Sequence, residues 1–242
     1  MQRITSLSDY FKKYEQSVKD PEKFWAEIAD TFIWKKKWDK VLDWDFDSVD
    51  IKWFKNAKLN ITENILEKNL IDRADKTAII WEPNDPTEPS IHLTYKELYE
   101  ETCKFSNALR EKGIKKGDRV IIYMPMVPEA AIAMLACARV GAVHSVVFAG
   151  FSSTSLADRI NDCQAKMVLT SDGNFRGNKT IPVKPVVDEA LEKCKTIESV
   201  IVLERTKQKI NMTSGRDFWW HDCISDVSSQ CDPEILDSED ML

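Results

Sequence analysis

The stretch GDRVIIYMPMVPEAAIAMLACARVGAVHSVVF, residues 117–148, decides the fold class. Its apolar runs at 119–124 and 142–148 are rich in Val and Ile and are too short for typical helices, so they predict two buried strands. Between them, Pro128 is placed to open a helix and Gly141 to end it. A strand, a helix and a second strand in this order predict a parallel sheet.

The sequence on both sides of this stretch continues the alternation of strands and helices. Apolar runs at 77–81, 166–170 and 199–203 predict further strands, and a T-x-x-E capping box at Thr94 and Glu97 predicts the start of a helix. Ser152 or Ser153 is expected to cap a helix that ends near 163, and residues 186–194 are expected to be helical. The predicted fold class is therefore α/β, a mostly parallel sheet flanked by helices, with an N-terminal cap of helical and irregular structure.

The first sixty residues differ from the remainder in composition, because they contain five of the eight tryptophans. Apolar residues at helical spacing predict a helix over 7–18, capped by Ser6 or Ser8, and a second helix that opens at Pro21. Over 34–58 neither the helical nor the strand period is evident, so an irregular segment held by aromatic side chains is expected. Packing is the favoured role of these aromatic rings, and stacking on a nucleotide or a sugar is the alternative.

Charge and composition exclude several classes of protein. The 242 residues include 34 basic and 40 acidic side chains, a net charge of −6, which argues against a nucleic-acid binder. The lack of a long apolar run and of an apolar leader predicts a cytoplasmic protein that does not enter the membrane. Six cysteines without C-x-x-C spacing are typical of reduced thiols, and neither they nor the histidines predict a metal site.

The segment 171–179 holds the strongest candidates for ligand binding. Arg176 and Lys179 lie three positions apart in a predicted loop with Gly173 and Gly177, and two such cations can converge on one phosphate. The alternative is a solvated loop with two ordinary surface cations. His144 lies within an apolar run and is expected to be a hydrogen-bonded core histidine rather than a catalyst. Since no nucleophile and base can be paired from the sequence, no catalytic residue is predicted.

Several longer segments resemble acetyl-CoA synthetase, a branch of the adenylate-forming superfamily, over nearly the whole chain. They are residues 51–54, 79–82, 117–118, 122–131, 134–139, 141–145, 184–190 and 215–220. The resemblance implies that residues 1–59 form the N-terminal cap of that family and that 60–242 form the first part of its AMP-binding domain, ending before the phosphate loop. The chain is therefore expected to be an N-terminal fragment, inactive alone, of an acetate–CoA ligase.

The family makes acetyl-CoA from acetate, ATP and CoA through acetyl-adenylate, with Mg²⁺ in the intact enzyme. Because the residues that bind the acyl group in the family lie beyond 242, a propionate–CoA ligase is an alternative, as is a non-catalytic module that binds CoA or another nucleotide. No ligand is expected to be bound to the fragment itself. Self-association is expected if missing sheet neighbours leave apolar surface exposed.

The resemblance also assigns the candidate binding residues. Arg176 and Lys179 match two basic residues that bind the 3′-phosphate of CoA, and Lys179 stands where some members have Arg. The turn of Phe148, Ala149 and Gly150 matches a Phe-Gly-Gly segment that flanks the adenine of CoA, with Ala149 in place of the first glycine.

Overall fold

The computed structural model describes residues 4–242. Its helices are α1 Leu7–Lys19, α2 Pro21–Ala29, α3 Ile61–Ile65, α4 Glu67–Arg73, α5 Tyr95–Glu111, α6 Pro128–Val140, α7 Ser153–Cys163, α8 Lys184–Leu191 and α9 Trp220–Ile224. Its strands are β1 Lys40–Asp45, β2 Asp50–Lys55, β3 Lys58–Leu59, β4 Thr77–Trp81, β5 Ile91–Thr94, β6 Arg119–Tyr123, β7 Val143–Val146, β8 Met167–Ser171, β9 Gly173–Arg176, β10 Lys179–Pro182, β11 Ser199–Leu203, β12 Asp217–Trp219 and β13 Leu236–Asp237.

The chain divides into two compact units. The first contains the described residues up to Asn64 together with Ile235–Asp240, and the second contains Ile65–Glu234 with Met241–Leu242. Among the helices of residues 4–242, none combines the length and the apolar composition that crossing a bilayer requires.

The two N-terminal helices begin at the residues that the sequence indicates. Ser6 rather than Ser8 caps α1, because its hydroxyl accepts a hydrogen bond from the Asp9 N–H at 3.1 Å. The side chain of Asp20 caps α2 in the same way, and Pro21 occupies the first turn, where no N–H is needed. These local signals therefore predicted both helix starts.

The segment after these helices is more regular than we expected, and the prediction of an irregular chain over 34–58 is wrong for much of it. Strands β1 and β2 form an antiparallel hairpin in which Leu42 faces Trp53. Charged residues in these strands hid the alternation of apolar and polar positions that predicts a strand. In the hairpin such residues pair with each other, as Lys55 does with Asp43 at 2.5 Å. Aromatic rings pack nearby, since the ring centroids of Trp34 and Trp38 lie 5.2 Å apart, in agreement with the favoured packing role.

The second unit is built on a five-stranded sheet of order β12-β11-β8-β6-β7. Every neighbouring pair in it is parallel. The structure thus confirms the predicted α/β class and the parallel arrangement. Because all five strands run in one direction, their carboxyl ends lie at one edge of the sheet, where ligands collect in folds of this kind.

Apolar side chains from alternate strand positions form one core on each face of the sheet. Val120 and Ile122 of β6 belong to the core that includes residues of α5 and α6. Ile121 and Tyr123 belong to the core that includes residues of α7 and α8. Since both faces are buried, the strands β6, β8 and β11 are apolar over most of their length, which is why the sequence indicated them.

Helix ends in the second unit follow the sequence signals. Thr94 and Glu97 form both hydrogen bonds of the capping box that starts α5. Gly141 follows α6 in the left-handed conformation, with a φ of 73°, which glycine adopts without strain. Ser152, not Ser153, caps α7.

Candidate functional site

The segment predicted as a loop after β8 is a β-hairpin. Strands β9 and β10 pair antiparallel, and Arg176 and Lys179 are directly opposite each other at its tip. Residues 177 and 178 make the turn, and Gly177 has a φ of +56°, in the region that favours glycine. Side chains directly opposite each other in an antiparallel pair lie on the same face with Cβ atoms about 5 Å apart. The hairpin therefore brings Arg176 and Lys179 together.

Both cations are exposed. Within residues 4–242 neither side chain forms an ion pair or a hydrogen bond with another residue. An arginine offers a planar fork of donors and a lysine a single charge, so the pair can hold a phosphate dianion without first breaking an internal contact. This geometry is what the phosphate-binding hypothesis requires.

A buried carboxylate fixes the base of the hairpin. Asp172 lies between β8 and β9, and its Oδ1 accepts hydrogen bonds from the N–H groups of Gly173 at 2.7 Å and Arg205 at 2.8 Å. Its Oδ2 accepts from the hydroxyl of Thr206 at 3.0 Å and the N–H of Gln208 at 3.2 Å. Charge-assisted bonds of this type are stronger than neutral ones, so the end of β8 and the loop after β11 form one support for the hairpin.

The middle of the hairpin rests on Arg205. The guanidinium carbon lies 4.7 Å from the ring centroid of Phe175 and 5.1 Å from that of Trp81. Because neighbouring residues of a strand point to opposite faces, Phe175 faces away from the side that carries Arg176. Stacking thus supports one face of the hairpin and leaves the cationic face open.

The second candidate group follows β7, at the same edge of the sheet. Phe148 is 72% exposed and its ring contacts Phe151 edge-on at 5.8 Å. A Cβ at Gly150 would collide with the ring of Phe148 in its present position, so the ring would have to move. Ala149 packs against the core that contains Tyr123, so its methyl group is directed inward. The exposed ring provides an apolar surface of the kind that can pack against a flat base.

A hydrogen bond from the sheet fixes this turn. The hydroxyl of Tyr123, at the end of β6, donates to the carbonyl oxygen of Phe151 at 2.7 Å. Burial raises the pKa of Tyr123, which keeps the hydroxyl protonated as a donor. The guanidinium of Arg159 covers the Phe151 ring at 4.9 Å. The turn is therefore attached to both β6 and α7.

The two candidate groups follow strands that are not neighbours. The hairpin follows β8 and the Phe148 turn follows β7, with β6 between them in the sheet. Strands are spaced by about 4.8 Å, so the two strand ends lie about 10 Å apart. A nucleotide with an aromatic base and a phosphate can extend across such a distance along one edge.

His144 differs from the expectation. It lies in β7, an outer strand of the sheet, and its Nδ1 is buried without a hydrogen-bond partner among the residues that the structure describes. Burial lowers the pKa of His144 and favours the neutral ring. The Nδ1 of His144 therefore lacks the hydrogen bond that we predicted for a core histidine.

Comparisons with known proteins agree with this architecture. The family model "AMP-binding enzyme" matches residues 66–242, most of the chain. The chain belongs to the AMP-binding enzyme family. The model "Acetyl-coenzyme A synthetase N-terminus" matches residues 10–65.

Curated relatives in the AMP-binding enzyme family carry the name acetyl-coenzyme A synthetase. The protein of Syntrophobacter fumaroxidans is 51% identical over 234 residues, which are 96% of this chain and 36% of the relative. That of Magnetococcus marinus is 49% identical over 240 residues, 99% of this chain and 37% of the relative. The chain thus spans little more than a third of the length of these relatives.

A solved structure shares the fold of this AMP-binding enzyme family member. Acetoacetyl-CoA synthetase from Streptomyces lividans superimposes with a TM-score of 0.81 at 24% identity. The match covers 92% of this chain and 33% of that one. At 24% sequence identity, this similarity supports the fold alone.

Sequence reasoning missed the residues that support the site. Asp172 stood within the quoted segment, yet apart from the adjacent Gly173 its partners Arg205, Thr206 and Gln208 are more than thirty positions away along the chain. Arg205 and Trp81 are likewise brought to the hairpin only by the tertiary fold. No spacing within a short segment indicates such contacts. The glycine and the two cations of the hairpin tip lie within four positions of each other, so the sequence alone could identify them.

Proposed function

We propose that this chain provides the binding surface for the 3′-phosphoadenosine end of CoA in an AMP-forming acetate–CoA ligase. One observation carries the proposal: Arg176 and Lys179 face each other on an exposed hairpin tip without internal partners. In such a ligase, a carboxylate oxygen of acetate attacks the α-phosphate of ATP and pyrophosphate leaves. The CoA thiol then attacks the acyl carbon and AMP leaves.

The role of the hairpin in this scheme is recognition of the substrate. The 3′-phosphate of CoA is far from the thiol, so contacts to it orient the substrate without taking part in bond changes. In this proposal Phe148 packs against the adenine, and Arg176 and Lys179 neutralise the phosphate. Within residues 4–242 no group of three His, Cys, Asp or Glu side chains is arranged to hold a metal ion, and we assign no metal-dependent step to this chain.

The relatives' names support acetate as the acyl substrate, and the resemblance in sequence supports ATP and CoA as the others. The domain assignment is part of the same proposal: residues 1–59 as the cap and 60–242 as the first part of the AMP-binding domain. We further propose that these 242 residues require additional parts of the ligase for turnover.

Replacement of Arg176 tests the proposed role in a full-length ligase that carries this sequence. Arg176→Ala is expected to raise the KM for CoA about tenfold, since a charged hydrogen bond contributes about 1.5–3 kcal/mol. Acetate-dependent exchange of pyrophosphate into ATP, which needs no CoA, is expected to stay unchanged.

A matched control is Lys115→Ala. Lys115 is an exposed cation in the turn before β6, at the amino ends of the strands and thus at the opposite edge of the sheet. It is expected to affect neither half-reaction. Equal loss of pyrophosphate exchange and thioester formation in Arg176→Ala would refute the assignment.

A further inference from the structure

The turn of the β9–β10 hairpin is bound by one side chain from a distant part of the chain. Asn84 donates a hydrogen bond from Nδ2 to the carbonyl oxygen of Gly177 at 2.9 Å. Its Oδ1 accepts one from the N–H of Gly177 at 3.1 Å. The two residues are 93 positions apart, and one carboxamide satisfies both backbone groups of Gly177, the first of the two turn residues between the cations.

The segment that presents Asn84 is itself held in shape. The carboxylate of Asp85 accepts hydrogen bonds from the N–H of Thr87 at 2.8 Å and from its hydroxyl at 2.7 Å. These bonds, from the backbone first, lower the pKa of Asp85 and keep it an acceptor at neutral pH. The segment is therefore a compact turn and not an extended loop.

Both ends of this segment contact the same arginine that supports the hairpin. Trp81, before Asn84, stacks on Arg205, and Glu88, after it, forms an ion pair with Arg205 at 3.3 Å. Arg205 in turn stacks on Phe175. Asn84 is thus supported from the same side of the hairpin that Phe175 faces, opposite to Arg176 and Lys179.

Beside these contacts lies a cavity of about 300 Å³, lined by Asn84, Pro86, Glu88, Phe175, Gly177 and Thr180. A two-residue turn next to such a space can tilt unless something fixes it. Asp172 fixes the base of the hairpin and Arg205 its middle. Asn84 makes the corresponding contact at the tip.

We propose that Asn84 is a positioning residue for phosphate recognition, which holds the Gly177 turn so that Arg176 and Lys179 stay aligned on one dianion. The inference rests on the proposed function, because it assumes that this pair binds the 3′-phosphate of CoA. Holding the tip in the free protein reduces the ordering that binding would otherwise require, and preorganisation of this kind increases affinity without adding a contact to the ligand.

The first readout uses the 242-residue chain, labelled with ¹⁵N, with Asn84→Ala and the control Asn69→Ala. Asn69 lies in α4 and also bonds through its side chain to a backbone carbonyl, that of Ile65 at 2.8 Å. In the free protein, the amide of Gly177 is expected to exchange with solvent about 5- to 10-fold faster in Asn84→Ala, as loss of one hydrogen bond implies. In Asn69→Ala it is expected to exchange at the wild-type rate.

The second readout is the ratio of the affinities for CoA and for 3′-dephospho-CoA, measured by titration of a full-length ligase that carries this sequence. Asn84→Ala is expected to lower this ratio about 3- to 10-fold and to leave the affinity for dephospho-CoA unchanged. A general loss of structure would instead lower both affinities together, so the ratio separates positioning from folding.

Each outcome is decisive. If the wild-type ligase prefers CoA and Asn84→Ala prefers it equally, Asn84 has no positioning role although the proposed function stands. If the ratio falls while Gly177 exchange is unchanged, positioning through the turn is refuted. If the wild-type ligase does not distinguish the two ligands, the proposed function fails and the role of Asn84 fails with it.

Discussion

At the scale of single residues, the site depends on two side chains whose proximity was readable from the sequence. Arg176 and Lys179 are separated by a turn of two residues, and Gly177 supplies the positive φ that the turn needs. What spacing could not provide is the fixed orientation, which comes from Asn84 and Arg205 through the tertiary fold. Local patterns thus predicted that the two cations lie close together but not which residues support them.

Gly177 provides a test of the turn itself. An added Cβ would meet no atom within 4 Å, so the effect of Gly177→Ala comes from the backbone alone. A left-handed conformation costs a residue with a Cβ about 1–2 kcal/mol, and Asn tolerates it better. Gly177→Ala should therefore lower the free energy of unfolding in urea by about 1 kcal/mol, and Gly177→Asn by less. Equal stability of Gly177→Ala and the wild type would show that the turn is not strained in this way.

At the scale of elements, the predictable parts are those buried on both faces. Strand β6 and helix α6 were evident because the strand is buried and free of charge after Arg119 and because a proline and a glycine mark the helix ends. The β1–β2 and β9–β10 hairpins were missed because they are half-exposed and held by pairs across strands. The pattern within a single strand does not show which residues of another strand it pairs with.

Helix α8 is connected to β12 by a buried ion cluster. The ammonium group of Lys184, with no exposed surface, lies 2.8 Å from Asp217 and 2.6 Å from Asp188. Arg216 also pairs with both carboxylates. Burial alone would raise the pKa of Asp217, but the hydrogen bonds from Arg216, Lys184 and the Thr213 N–H hold it below its ordinary value.

Asp217→Asn is expected to destabilise the protein by about 3 kcal/mol or more at pH 7, because it leaves the buried charge of Lys184 with one partner fewer. Folding lowers the pKa of Asp217, so its ionised carboxylate stabilises the fold at any pH above the ordinary pKa, which is about 4. This stabilisation is lost as the pH falls through the lowered pKa. The difference between wild type and variant in urea unfolding should shrink below pH 4. A difference that persists unchanged at pH 2 would contradict this account.

At the scale of the whole molecule, a chain of net charge −6 carries a local pair of exposed cations. Net charge argued against a nucleic-acid partner but could not locate this pair, because the potential that attracts a phosphate is local. The relatives are nearly three times as long as the matched part, so the role proposed for this chain is recognition of CoA and not turnover.

Self-association of the chain remains a prediction from the sequence. Several large apolar side chains are well exposed, among them Met126 at 91% and Leu7 at 75%. Exposed apolar surface favours contact between copies. The mass by light scattering is expected to rise with protein concentration, and Leu7→Glu should reduce that rise. A constant monomer mass up to high concentration would refute the prediction.

The most direct test of the central claim compares CoA with 3′-dephospho-CoA as ligands of a full-length ligase that carries this sequence and of its double variant Arg176→Ala/Lys179→Ala. The paired cations predict that the wild type binds CoA at least about tenfold more tightly, as a charged hydrogen bond implies, and that this preference disappears in the double variant. An equal affinity of the wild type for both ligands, or a preference that survives in the double variant, would contradict the assignment of Arg176 and Lys179 to the 3′-phosphate.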